Sequence, residues 1–248
     1  MTAVLILVLA GGVGFLIGSV GVGGILLIPP LALLANMSIH EASATALLTF
    51  LFTGIFGTWL FSRRGNIEWR IAGPVCAGSL VFAYLGAWTN SIVNARVLET
   101  AIAGVVLAAG VYIAIPASAR SRREHPVQNQ PALLVGLGAI CGFGSGVTGA
   151  GGPLFSVPLM LLLGFAPLTA IGTGQVLQIA AASAGSIGNL RYGSIDFSYA
   201  VALTVAELTG VYGGVRFAHW LDPRVLRLMV AVLCVVAGAL MLARLHSS

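Results

Sequence analysis

The sequence predicts an all-α membrane protein of about eight transmembrane segments. They form two homologous four-element repeats, the first element of each broken or re-entrant at a glycine-rich stretch, with the repeats inverted relative to one another. Three observations predict this. The chain is 58% hydrophobic and 8% charged, with a mean hydropathy of +1.02, which leaves too little polar surface to cover a soluble globule. Residues 14–110 recur without a gap as residues 142–238. Glycine clusters, Gly21-Val22-Gly23-Gly24 and Gly149-Ala150-Gly151-Gly152, stand at the same place in both copies, as in transporters built from internal repeats.

The elements follow in order. Each half opens with a helix at 3–20 or 131–148, then a glycine break, then a shorter helix at 25–36 or 153–164. Full-length apolar runs follow at 42–61, 71–90 and 96–115, and at 168–190, 198–218 and 224–244. Each run, at about 1.5 Å per residue, crosses a hydrocarbon core of about 30 Å. None alternates with a period of two, which argues against a lipid-facing barrel. The first helix lacks a basic n-region and has a full counterpart inside the chain, so it is expected to stay as structure rather than act as a cleaved signal.

Domain boundaries come from the polar stretch between repeats. Residues 1–116 form the first membrane repeat, 117–130 a linker holding Arg120, Arg122, Arg123 and Glu124, and 131–248 the second repeat. All twelve basic residues are arginine and the formal charge is +5, an excess that in a membrane protein orients the spans rather than recruiting nucleic acid. The linker is placed in the cytoplasm, and the Arg63-Arg64 loop with Arg70, two spans earlier, falls on the same side. Inverted repeats put nine arginines inside and three outside, against eight and four for parallel repeats.

The glycine breaks carry the chemistry. Glycine costs a helix about 1 kcal/mol and proline about 3, so clusters followed by Pro29-Pro30 and by Pro153 and Pro158 should interrupt it. Unwound backbone at membrane depth survives only where protein or a wet cavity satisfies its polar groups. The free N–H groups at Gly24 and Gly152 then suit an anion. The alternative is that these glycines only allow close helix packing, the role assigned to Gly14-xxx-Gly18 and Gly142-xxx-Gly146. Gly144–Gly149 formally matches GxGxxG, but no strand precedes it and no acidic ribose partner follows at the needed distance.

Candidate solute-binding residues are therefore Gly21, Gly23, Gly24, Gly149, Gly151 and Gly152, joined by side chains of the next spans. Those are Thr45 and Thr49 in the first half and Thr173, Gln175 and Gln178 in the second. Thr45 and Thr173 are matched positions, and Gln175 and Gln178 share a helix face. Uncharged donors can bind and release an anion without the trapping that a buried arginine would cause. A membrane threonine also commonly bonds back to its own helix.

Glu207 is the one acid in the middle of an apolar run and is the candidate for proton coupling. Its matched position is Ser79, and a structural hydrogen bond to Tyr212 or to another span is the alternative. Arg63 and Arg191 recur beside glycine turns, where interfacial anchoring or helix capping is expected. His40, His125, His219 and His246 are expected in loops or termini with solvated roles. Cys76, Cys141 and Cys234 lie in apolar stretches without CxxC spacing, which indicates buried thiols rather than a metal site or disulfide.

The first elements, Gly18 to Pro29 and Gly146 to Pro158, resemble those of the TauE/SafE family of sulfite exporters and sulfonate permeases. Ala44-Thr45, Gly172-Thr173 and the Arg63–Ile67 and Arg191–Ile195 turns extend the likeness over essentially the whole chain. The resemblance implies a multi-pass carrier of small sulfur-containing anions in the bacterial inner membrane. In the first repeat Leu47 and Phe50 stand where the second has Gln175 and Gln178, so a polar site carried over from the family is lopsided here.

The expected function is secondary transport of sulfite or an organosulfonate by proton-linked alternating access. A passive anion channel or a carrier of a small carboxylate is the alternative. No histidine or aspartate lies within a predicted span and Ser145 has no base nearby, so no enzyme is expected. Expected partners are a small anionic solute and the lipid bilayer, with no nucleic acid and no cofactor; a homodimer is left open.

Overall fold

A computed structural model describes residues 2–35, 37–92, 95–114, 130–148, 151–192 and 195–247. The described residues are helical throughout, without strands. The first half comprises α1 (Thr2–Val20), a short 3-10 turn (Gly24–Leu26), α2 (Ile28–Leu34), α3 (Ile39–Arg63), α4 (Trp69–Ile92) and α5 (Ala95–Ala114). The second comprises α6 (Pro131–Thr148), α7 (Pro153–Leu162), α8 (Pro167–Tyr192), α9 (Phe197–Trp220) and α10 (Pro223–Ser247). The linker expected at 117–130 lies, but for Gln130, outside the described residues, as does Gly149.

Both first helices end where the glycines begin. α1 stops at Val20, Gly21 takes φ +76, and the chain re-enters a helix through the 3-10 turn at Gly24. In the second half Gly151 takes φ +85 and α7 starts at Pro153. Proline at the first helical position needs no N–H partner there, so it starts α7 at no cost. Elsewhere, Ser38 caps α3 by accepting from Glu41 N at 3.2 Å, and Asp196 caps α9 by accepting from Ser198 N and Tyr199 N.

The halves interlock instead of standing side by side. α1 packs along α9, and α6 packs along α4, and both crossings are made by glycines. A Cβ on Gly14 would overlap the Glu207 carbonyl, and one on Gly142 the Ser79 carbonyl. Gly214 and Gly86 repeat this against Phe15 and Phe143. Each pair is the other shifted by one repeat length. Close approach of this kind gains dispersion contacts that lipid cannot supply.

The matched helices α3 and α8 cross antiparallel. Gly54 of α3 lies against Ile179 and the Gln175 carbonyl, whereas Gly172 near the start of α8 lies against Phe61 and Asn66 at the end of α3. α5 and α10 also run antiparallel, with Gly110 against Ala231 and Cys234 and Gly238 against Ala103 and Leu107.

The surface is apolar, and the largely apolar interior also holds buried polar side chains. Large apolar side chains such as Leu33, Val81, Trp88 and Val201 are exposed, while Thr45, Thr173, Gln175 and Glu207 are fully buried. A water-soluble protein does the reverse. Ala44–Arg63 and Pro223–Leu240 are each long and apolar enough to cross a membrane, and Val4–Val20, Pro131–Gly146 and Pro153–Leu162 are shorter apolar helices.

Candidate functional site

The two glycine breaks meet. A small hollow is lined by Gly21, Gly23, Gly24 and Phe50 from the first half and by Gly151, Pro153, Leu154 and Gln178 from the second, with room for about one water molecule. Phe50 and Gln178 are matched positions in the repeat. The Gln178 Nε2 donates to the Phe50 carbonyl at 3.0 Å, so the hollow sits where a residue touches its own counterpart.

Main-chain groups dominate the lining. Gly21 N donates to Ile17 O, and Leu26 N and Leu27 N donate to Gly23 O and Gly24 O. The Gly21 bond continues the ladder of α1, and these bonds do not include the N–H groups of Val22, Gly23 and Gly24. Glycine is required at two of these positions. At Gly21 a side chain would be strained by the positive φ, and its Cβ would lie 2.9 Å from Val157 Cγ2. At Gly24 a Cβ would lie 2.9 Å from the Phe50 ring.

Polar side chains come from one side only. Gln178 is 4% exposed and donates also to Thr53 Oγ1 at 2.9 Å, while Thr53 donates to Phe50 O at 3.2 Å. Gln175 reaches across to α1, donating from Nε2 to Ile17 O at 3.0 Å. Its Oε1 is buried without a hydrogen-bond partner, beside Gly57. Gln175 thus ties α8 to the end of α1, just before the first break, and Gln178 ties α8 to α3.

The predicted threonines divide. Thr45 Oγ1 accepts from Asp196 N at 3.2 Å, which ties the start of α3 to the start of α9. It does not line the hollow. Five residues on a helix turn it about 140° from Phe50. Thr173 has the same phase relative to Gln178, is buried, and its hydroxyl has no partner. Thr49 donates to Ala46 O at 2.8 Å and stands beside the Glu207 carboxyl. Gly152 starts α7 against Leu177.

Glu207 is fully buried between α9, α1 and α3, and neither carboxyl oxygen accepts a hydrogen bond of regular geometry. The alternative bond to Tyr212 is corrected: that side chain is half exposed, five residues and about 140° around the helix from Glu207. The expectation of a solvated His219 is corrected as well. It lies in the last turn of α9, packs against the Phe61 ring in a tilted pair with centroids 5.6 Å apart, and has Nδ1 2.7 Å from Val215 O and Nε2 2.6 Å from Asn66 Oδ1. His40 and His246 fall within α3 and α10, and His125 lies outside the described residues. Arg63 lies over the Trp59 ring at 4.4 Å, an interfacial arrangement.

Thr53 and Leu154 were not named as site residues from sequence, and Pro153 was named only as a helix breaker. Thr53 was detectable, since it lies four residues beyond Thr49 and one turn beyond Phe50. The other two show themselves only once the second break is folded against the first. Among the described residues no cluster of His, Cys, Asp and Glu could hold a metal.

Comparison with known proteins covers nearly the whole chain. The family profile described as sulfite exporter TauE/SafE matches residues 5–242. The chain is 30% identical over 236 residues to the probable membrane transporter protein YdhB of Bacillus subtilis (strain 168), covering 92% of this chain and 96% of the relative. It is 26% identical over 239 residues to YjnA of the same organism, covering 91% and 94%, and 26% identical over 235 residues to YfcA of Escherichia coli (strain K12), covering 94% and 87%. Both carry the same description, probable membrane transporter protein. No solved structure matches.

Proposed function

Because this chain belongs to the sulfite exporter TauE/SafE family, and is therefore a membrane transporter and not an enzyme, we propose that it carries a small sulfur-containing anion. Sulfite or an organosulfonate crosses the bacterial inner membrane by proton-linked alternating access. The single observation that carries this reading is the meeting of both glycine breaks around one hollow, at matched positions Phe50 and Gln178. Binding sites at a repeat interface, built from discontinuous helices, are the architecture that alternating access uses.

We read the halves, 1–116 and 131–248, as inverted repeats that together make about eight spans. Matched helices related by an axis along the membrane normal would run parallel. α3 with α8 and α5 with α10 run antiparallel, which calls for an axis in the membrane plane. Inversion also gathers Arg63, Arg64 and Arg70 with Arg216, Arg224 and Arg227 at one end, the cytoplasmic end by charge bias. Phe50 and Gln178 then lie near mid-membrane. The anion is held by main-chain N–H groups of Val22–Gly24 and Gly151–Gly152, with Gln178 beside it. Thr45, bonded to Asp196 N, serves as a tie at one end of the bundle.

Proton linkage is assigned to Glu207. An unpaired carboxyl in lipid-depth protein is costly when ionised, so a proton taken up there and released on a conformational change couples to solute movement. The test is flux in proteoliposomes. Uptake of sulfite or isethionate should saturate and respond to a pH gradient, and Glu207→Gln should keep saturable flux while losing that response. Conductance far above carrier turnover would favour a channel. Uptake of acetate or glycolate with no sulfur anion transported would favour the carboxylate carrier. An unchanged pH response in Glu207→Gln would remove the carboxyl from the coupling step.

A further inference from the structure

Resting on the anion reading above and narrowing it, we infer that the transported anion carries its own O–H or N–H donor, which the side-chain oxygen of Gln178 accepts. The orientation of this amide is fixed by its neighbours. Nε2 lies 3.0 Å from the Phe50 carbonyl, which can only accept, and 2.9 Å from Thr53 Oγ1. The Thr53 proton goes to that same carbonyl at 3.2 Å, so Thr53 Oγ1 meets the amide as an acceptor. Nε2 is thereby committed to these two protein acceptors, and a flipped amide would set oxygen against oxygen.

The atom left for the hollow is therefore Oε1. Gln178 is 96% buried by its 4% exposure and lines the hollow directly. Gln175, one turn away, shows the same polarity, with Nε2 committed to Ile17 O and Oε1 buried without a partner. The remaining lining residues, glycines, Pro153, Leu154 and Phe50, bring no polar side-chain atom.

The hollow thus has two chemistries: main-chain N–H groups that favour negative oxygen, and an amide oxygen that repels it. A bare anion satisfies the first and leaves Oε1 stranded. An anion with a hydroxyl, an ammonium or an acid proton satisfies both. The class this selects is a hydrogen-bearing monoanion or zwitterion, such as hydrogen sulfite or a hydroxy- or amino-substituted sulfonate. A fully deprotonated dianion fits poorly. A hydroxyl that found no acceptor would weaken binding, because its lost hydration would go unreplaced, so the sign of the effect separates the two cases.

The test uses the purified full chain and anions of equal charge that differ by one hydroxyl. Isethionate is compared with ethanesulfonate, and glycolate with acetate, by titration of thermal unfolding. The hydroxylated member of the better-binding pair should bind about tenfold more tightly or better. Gln178→Met, which keeps length and removes the acceptor, should bring the ratio within each pair close to one, whatever its effect on the overall affinity of both members. Equal affinities in the unaltered protein, or a ratio that survives in Gln178→Met, would overturn the inference. The unaltered protein decides alone if the variant does not fold. Should none of these anions nor sulfite bind, the anion reading itself falls, and this inference with it.

Discussion

The two glycine breaks descend from one sequence pattern but are built differently. In the first repeat the chain leaves α1 through Gly21, makes a 3-10 turn, and forms only the seven-residue α2, whose Leu33 is exposed. In the second it enters the ten-residue α7 directly at Pro153, with eight of its residues buried. Behind the first break stands Phe50; at the matched position behind the second stands Gln178. The first break therefore offers backbone against an aromatic ring, and the second supplies the polar side chains. Duplication sets the scaffold, and divergence at positions such as 50 and 178 places a polar amide on one side of a nearly symmetric frame.

The scaffold and the site should respond to mutation differently, and that difference can be broken at three levels. The largest effect is expected where the two halves are alike. Gly14→Leu and Gly142→Leu each drive a side chain into a facing carbonyl, so both should abolish folded protein in size-exclusion chromatography. Gly12→Ala, with nothing within 4 Å of its Cβ, should be silent. If Gly14→Leu were damaging and Gly142→Leu tolerated, the matched packing would be refuted.

At the breaks themselves, unequal effects are expected. Gly21→Ala combines left-handed strain of about 1–2 kcal/mol with a 2.9 Å approach to Val157. Gly151→Ala carries the strain alone, its nearest neighbour being Pro153 Cδ at 3.9 Å. Thermal unfolding should therefore fall further for Gly21→Ala; equal losses would mean that φ alone matters. The smallest effect is reserved for a feature without a counterpart, the His219–Asn66 contact at the arginine-rich end. Asn66→Ala should cost about 1 kcal/mol, measured by the same unfolding curves.

Much of this was legible in the sequence because hydropathy and repetition are properties of the chain itself. The break at Gly21–Gly24 follows from helix propensity, and the burial of Gln175, Gln178 and Glu207 follows from the cost of leaving an amide or carboxyl in lipid. The packing of Gly14 and Gly142 was readable from small-xxx-small spacing. Helix phase was harder. Thr45 and Thr173 look like site residues because they match, yet their direction depends on which neighbour each helix faces, and the structure turns Thr45 toward Asp196. His219 looked like a loop residue because α9 runs to Trp220, beyond the apolar run. Donor and acceptor direction at Gln178 was illegible, since it is set by a carbonyl 128 residues away.

The account rests on main-chain N–H groups of both breaks grasping one anion together. Amide hydrogen exchange of the reconstituted protein, followed by mass spectrometry with and without a saturating transported anion, tests this directly. Peptides covering Gly21–Ile25 and Gly151–Phe155 should gain protection together, at the same anion concentration. Saturable transport accompanied by protection at only one break, or at neither, would contradict it.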